Sequence, residues 1–235
     1  MRYIYLYLNL FTIFFPLVLS FDRRVHFYTN WRYLFPAMAF TSVCFISWDM
    51  AFTEHGVWGF NPAYLLGIYI GNLPLEEVLF FITVPYACVF IYECLNTYVQ
   101  REWLRPAAPL LTVLIMLGNL VVAGFFWGRW YTMLTCLLVP VLWLVYIGLF
   151  RFRKSGRFYL AYVVHLIPFL LVNGVLTALP VVWYNNNHNV GVRLGTIPVE
   201  DTMYSMLLLL MTIIIYEFLK QKTELRINKL QTEVV

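Results

Sequence analysis

The chain has 235 residues, 62% of them hydrophobic and 12% charged, against roughly 45–50% apolar and about 25% charged in a typical soluble domain. That excess excludes a soluble globule, and the modest Gly, Pro and Cys content excludes a collagen-like fibre, a disordered chain and a disulfide-stapled secreted domain. The net charge of +4 comes from short basic runs between apolar segments, so it marks membrane topology and not a nucleic acid partner.

Apolar segments long enough to cross a bilayer core of about 30 Å run near 3–20, 33–52, 73–95, 107–126, 130–149, 158–178 and 199–219. The pattern predicts an all-α polytopic membrane protein of seven transmembrane helices. The first segment runs straight into Asp22-Arg23-Arg24 without a small-residue cleavage site, and reads as a retained span. Alternating sides puts thirteen Lys and Arg on one face, against Arg2, Arg129 and Arg193 on the other. Positive-inside asymmetry therefore predicts a multi-pass cell-membrane protein with its N-terminus outside and its C-terminus in the cytoplasm. Cys44, Cys88, Cys94 and Cys136 lie in or beside apolar segments with no CxxC spacing, and read as small buried hydrophobes.

A shift of 124 residues superposes the sequence on itself. It carries Gly67 to Gly191, Gly71 to Gly195, Pro74 to Pro198, Glu76 to Glu200, Glu77 to Asp201, Tyr92 to Tyr216 and Glu93 to Glu217. It also carries Tyr7 to Tyr131 and Pro16 to Pro140. The unit is three helices long, which divides the chain into a first repeat over 1–105, a linker helix over 106–127, a second repeat over 128–220 and a basic cytoplasmic tail over 221–235. One crossing between two triplets makes the repeat parallel, about an axis along the membrane normal.

The repeated element GxxxGxxP[LV]E[ED] opens a helix, with Pro74 or Pro198 in the first turn and an acidic pair behind it at the positive end of the helix dipole. Capping alone accounts for acids at such a place. Two observations go further: a fully apolar span follows each pair, where ionisable groups are costly, and pseudo-symmetry brings the two pairs together. Glu76, Glu77, Glu200 and Asp201 then converge, and four acids in one low-dielectric site cannot all ionise, so the site holds both a proton donor and a proton acceptor. Phe80 and Tyr204 follow four residues behind Glu76 and Glu200 on the same helical faces, where their rings either stabilise a cation or simply pack. Asp49, at the outer end of the second span where the second repeat has Asn173-Gly174, is either a partner of the acids or an interfacial residue. Glu93 and Glu217 belong to the opposite, cytoplasmic end and are expected to pair with Arg or Lys. No second histidine at helical spacing accompanies the acids, and no dinucleotide, P-loop or retinal-lysine signature occurs, so neither metal nor cofactor is expected.

Trp48-Asp49, Trp58-Gly59-Phe60-Asn61-Pro62, the Gly67–Gly71 spacing, Pro74-Leu75-Glu76-Glu77 and Phe80-Phe81, with Pro198-Val199-Glu200-Asp201 as a second copy, resemble the integral-membrane lycopene cyclase family of some bacteria, archaea and fungi. The resemblance covers nearly the whole chain. It implies cyclisation of the linear ends of lycopene, or of other linear carotenoids, to β-ionone rings, with Trp48, Asp49, Asn61, Phe80 and Tyr204 around the substrate and the four acids as catalysts. The implied partners are the carotenoid, the lipid bilayer and other enzymes of carotenoid biosynthesis. The second copy lacks clear counterparts of Trp48-Asp49 and Phe60-Asn61-Pro62. The rival expectation is a proton-coupled transporter, whose plan is also three helices, a linker and three more.

Overall fold

The computed structural model describes residues 3–233. Arg2, the last two residues of the basic tail and the side chain of Lys229 lie outside the described residues. Seven α-helices form among them: α1 (Ile4–Leu19), α2 (Trp31–Glu54), α3 (Leu75–Tyr98), α4 (Ala108–Phe125), α5 (Trp130–Phe150), α6 (Ser155–Ala178) and α7 (Glu200–Glu233). Each falls on an expected apolar segment. Six of them, α2 to α7, are long and apolar enough to cross a membrane, whereas α1 has only 16 residues. Its end is fixed locally: Ser20 Oγ donates to the Pro16 carbonyl at 2.6 Å, and the charged Asp22-Arg23-Arg24 segment follows.

The interior helices are α3 and α7. Against α3 pack α1, α2 and α6, and against α7 pack α5, α2 and, more lightly, α6, so the neighbours of one central helix are the 124-residue images of the neighbours of the other. Linker helix α4 lies against α5 and α6 and exposes Leu110, Leu114, Leu117 and Val121. Phe11, Phe14 and Phe15 of α1 are likewise exposed. Such a surface suits lipid tails, and helices in that medium are held by close packing and internal polar contacts.

The connections between α2 and α3, and between α6 and α7, contain strands that hydropathy did not indicate. Strand β1 (Trp58–Phe60) pairs antiparallel with β4 (Val182–Tyr184), while β2 (Tyr69–Ile70) pairs with β3 (Leu73–Pro74) and β5 (Arg193–Leu194) with β6 (Ile197–Pro198). The two hairpins have the same register, Tyr69 opposite Pro74 and Arg193 opposite Pro198. Both turn at a glycine of positive φ, +63° at Gly71 and +64° at Gly195, where a Cβ is disfavoured. In the β1–β4 ribbon Trp58 faces Tyr184, Gly59 faces Trp183 and Phe60 faces Val182. The 124-residue shift turns Trp58 into Val182 and Phe60 into Tyr184, so the pairing is self-complementary. At its centre the Trp183 indole lies on Gly59, in the space a Cβ would occupy.

The same exchange occurs at the other end of the central helices. Tyr92 donates to Glu217 at 2.8 Å and Tyr216 donates to Glu93 at 2.8 Å. Each glutamate also takes the expected lysine, Lys154 for Glu217 (2.8 Å) and Lys220 for Glu93 (3.1 Å). Pro74 departs from expectation by one position: at φ −65° and ψ 149° it ends β3 and precedes the helix. Pro198 likewise closes β6 ahead of α7. In both motifs the proline belongs to the hairpin, and the acids occupy the first helical turn.

Candidate active site

The hairpin that delivers the chain into α3 fixes where its two glutamates go. Glu76 Oε1 accepts from the Leu66 amide at 2.6 Å, fastening the loop ahead of the hairpin, and Glu76 is fully buried. In the second repeat Glu200 Oε1 accepts from the Val190 amide, also at 2.6 Å, and from Thr132 Oγ1 at 2.6 Å. Leu66 and Val190 are 124 residues apart, so the loop anchor is repeated. One helical position on, Glu77 and Asp201 turn instead toward a cavity of about 50 Å³ between the halves.

That cavity is lined by Tyr5, Asp49, Trp58, Phe60, Glu77, Phe80, Tyr131, Phe169, Asn173, Leu176, Thr177, Val182, Tyr184, Asp201 and Tyr204. Of the nine residues singled out in the sequence, it brings together Glu77, Asp201, Asp49, Phe80 and Tyr204. Glu76 and Glu200 stand behind it at the loops. Trp48 stands beside it, with ring centroids 5.2 Å from Tyr204 and 5.5 Å from Phe52. Asn61 is further out, its side chain accepting from the Ala63 amide at 3.0 Å to cap a short turn.

The hydrogen bonds of the two sides differ. Asp49 Oδ1 accepts from Trp58 Nε1 and from Thr53 Oγ1, while Oδ2 receives no N–H or O–H donor. The Asp49 and Glu77 carboxyl groups both line the cavity and come close enough to interact directly. Two acids so placed can hydrogen-bond to each other only when a proton lies between them, which makes the pair a candidate proton donor. Glu77 Oε2 also accepts from the Tyr5 hydroxyl at 2.5 Å. On the other side Asp201 takes only donors: Tyr131 to Oδ1 at 2.6 Å, and Tyr184 at 3.0 Å and Asn173 Nδ2 at 3.4 Å to Oδ2. Burial, and then the neighbouring Asp201, hold the Tyr184 phenol well above its ordinary pKa, which keeps it a donor.

Aromatic rings close the space around these acids. Trp58 lies edge-on to Tyr131 at 5.1 Å, Tyr131 stacks on Tyr184 at 6.0 Å, and Tyr204 meets both Trp58 (6.1 Å) and Tyr131 (6.0 Å). The buried Tyr204 hydroxyl has no hydrogen-bond partner and lies within electrostatic reach of Asp49, Glu77 and Asp201. A cavity of this kind offers a proton, a proton acceptor and π faces for a cation, with little room for bulk water. Among the described residues no group of three or more His, Cys, Asp or Glu is disposed to hold a metal ion.

Tyr5, Trp58, Tyr184 and Tyr131 carried no site role in the sequence, Trp58 entering only through the motif on which the resemblance rests. The repeat held one usable signal, since Asn173 stands 124 residues after Asp49 and occupies the matching place beside Asp201. It misaligned another. Tyr5 makes in the first half the contact that Tyr131 makes in the second, whereas Tyr7, which the shift superposes on Tyr131, is exposed.

A family model described as lycopene cyclase matches residues 2–95 and again residues 128–219. No curated protein and no solved structure matches the chain. The two matches cover the segments that carry α1 to α3 and α5 to most of α7, leave α4 between them, and account for the internal repeat. With each half answering separately to the same family, and the matched residues making up most of the sequence, the chain belongs to the lycopene cyclase family.

Proposed function

We propose that the protein closes both linear ends of lycopene into β-ionone rings, by way of the monocyclic γ-carotene to β-carotene, as a redox-neutral intramolecular lyase. The observation that carries the reading is the asymmetry of the cavity: two acids, Asp49 and Glu77, meet on one side, while on the other Asp201 accepts hydrogen bonds from Tyr131, Tyr184 and Asn173. On this reading Asp49 and Glu77 hold one proton between them. The Asp49–Glu77 pair protonates C2 of the terminal double bond, leaving a tertiary cation at C1. The C5–C6 double bond attacks it, the C1–C6 bond forms, and the cation moves to C5. Asp201 removes the C6 proton, and those electrons become the C5–C6 double bond of the β ring. One proton enters the substrate and one leaves it, so no cofactor is consumed, and the proton on Asp201 returns to the Asp49–Glu77 pair across the cavity they share before the next ring is closed.

Trp58, Tyr131, Tyr184 and Tyr204 present their rings to the cation, and Phe80 borders the space. Glu76 and Glu200 act as positioning residues through the loops they fasten, and Trp48 acts by holding Tyr204. Asn61 shapes the loop beside the cavity.

The same reading takes all seven helices as spans. At about 1.5 Å per residue α1 is roughly 24 Å long, and local bilayer thinning accommodates the remainder at a fraction of a kcal/mol per Å. Seven crossings make the repeats over 1–105 and 128–220 parallel, with 106–127 as the linker and 221–235 as the tail. The count of basic residues puts the N-terminus and the cavity outside and the C-terminus in the cytoplasm, with other carotenoid-pathway enzymes as neighbours in the membrane. Family membership does not favour the transporter. The test is expression in a lycopene-accumulating host with pigment chromatography. β-Carotene is the expected product, and unchanged lycopene beside inserted, folded protein would refute the reading.

A further inference from the structure

A lycopene end at the carboxyl groups leaves a long, stiff, apolar polyene to be housed. Beside the acidic cavity, between α1, α3 and α6, lies an apolar groove of about 230 Å³ with no Asp, Glu, Lys or Arg on its wall. The two spaces are continuous in their lining, since Phe80 and Phe169 border both. The repeat produces a second groove, of about 400 Å³, between α2, α5 and α7. No residue of that one borders the acidic cavity.

Paired residues of the two repeats account for the difference. Where the first groove has Val172 and Ala87, the second has the larger Trp48 and Met211, which stand 124 residues away from them. Phe169 and Phe80 correspond to Phe45 and Tyr204. In the second groove Trp48 and Phe45 both pack onto Tyr204, at 5.2 and 5.1 Å, and wall off the acids.

We infer that the groove between α1, α3 and α6 holds the polyene of the substrate, and that its repeat-related counterpart does not. This rests on the cyclase reading above. One open groove at a pseudo-symmetric site means that the two ends of the substrate are cyclised in turn, each entering from the same side with the rest of the chain trailing past Phe80 and Phe169 toward lipid.

The test fills each groove. Val172→Trp and Ala87→Met place in the open groove the residues the other repeat carries, and Leu138→Trp fills the closed one. Each full-length variant is expressed in lycopene-accumulating membranes and cyclised pigment is measured per amount of inserted protein. Val172→Trp should lower cyclisation at least about tenfold and Ala87→Met several-fold, because displacing a reacting end by an ångström can cost on the order of 100-fold. Leu138→Trp should stay within about twofold of the parent on the same argument. Parent-like turnover in both open-groove variants, or an equal loss in Leu138→Trp, overturns the inference.

A second measurement does not depend on turnover. In a Glu77→Gln background, lycopene retained through detergent purification should fall on adding Val172→Trp and persist on adding Leu138→Trp. Retention indifferent to Val172→Trp overturns the groove while leaving the cyclase reading intact. Retention that depends on Val172, in a parent that forms no rings, supports the groove and defeats the cyclase reading instead.

Discussion

Asp49 on α2 and Glu77 on α3 meet carboxyl to carboxyl, whereas the residue that the repeat sets beside Asp201 in place of Asp49 is an amide, Asn173. Two copies of one motif have thereby become unlike partners. The first half sets two acids against each other, and the second sets an acid among the hydrogen-bond donors Tyr131, Tyr184 and Asn173. Asn173→Asp restores the sameness and replaces a donor by an acid beside Asp201. Cyclisation should fall about tenfold in isolated membranes, less than the ~10²-fold expected for removing an acid–base group outright. Turnover at the parental rate would show that Asp201 does not need its donors.

The two phenols on Asp201 bear on the same point. Tyr131→Phe and Tyr184→Phe each remove one hydrogen bond to a buried carboxyl group, an interaction on the order of 1.5–3 kcal/mol. Each variant should slow cyclisation by about tenfold or more while inserting normally, since one pKa unit or one decade of rate corresponds to about 1.4 kcal/mol. Equal amounts of folded protein, measured by fluorescence size-exclusion chromatography, make the comparison valid.

Glu76 and Glu200 separate loop anchoring from catalysis. Glutamine keeps an oxygen that can accept from Leu66 or Val190, so Glu76→Gln and Glu200→Gln should lower cyclisation less than Glu77→Gln does. Alanine leaves a buried amide without its partner, which costs about 1–3 kcal/mol. The alanine variants should therefore show lower thermal midpoints in detergent as well as slower turnover. A loss in Glu76→Gln as large as that in Glu77→Gln would return Glu76 to the chemistry.

The helices were legible because hydropathy over about 20 residues reports a bilayer-length segment whatever its neighbours. The 124-residue shift found the acids because carboxylates stand out against apolar sequence. It did not tell Glu76 from Glu77. Which of two adjacent residues faces a cavity is decided by the hairpin before them, and two- or three-residue strands such as β2 and β3 leave no periodicity to read. Tyr5 and Tyr184 were invisible for another reason: tyrosine is abundant here, 17 of 235 residues, and only packing singles out the ones that bond an acid. Basic residues held two messages at once. Arg157, counted as a topology marker, is buried and donates to the carbonyls of Leu95 and Val99 at the end of α3.

The lysines at that end predict a stability effect without a catalytic one. Lys154→Met leaves Glu217 with only the Tyr92 donor, and because Lys154 is half-exposed the loss should be near 1 kcal/mol. In a chain of this size that corresponds to a thermal midpoint lower by about 2–4 °C. Cyclisation per folded protein should be unchanged, and a large catalytic loss would tie this end to the reaction.

Orientation is open to chemical labelling. A cysteine at exposed Asn187, in the connection between α6 and α7, should react with a membrane-impermeant thiol reagent in intact cells once the native cysteines are removed, and one at exposed Arg153 should not. Reversed labelling would invert the topology without touching the chemistry, and labelling of both would contradict seven spans.

The central claim is that the Asp49–Glu77 pair supplies the proton. Its most direct test is the initial rate of ring formation from lycopene in isolated membranes by Glu77→Gln, Asp49→Asn and the double variant, normalised to folded protein. Each single change removes the shared proton, so each rate should fall by at least ~10²-fold, and the double variant should fall little further because the two groups act as a unit. Rates near the parent's in either single variant would contradict the account.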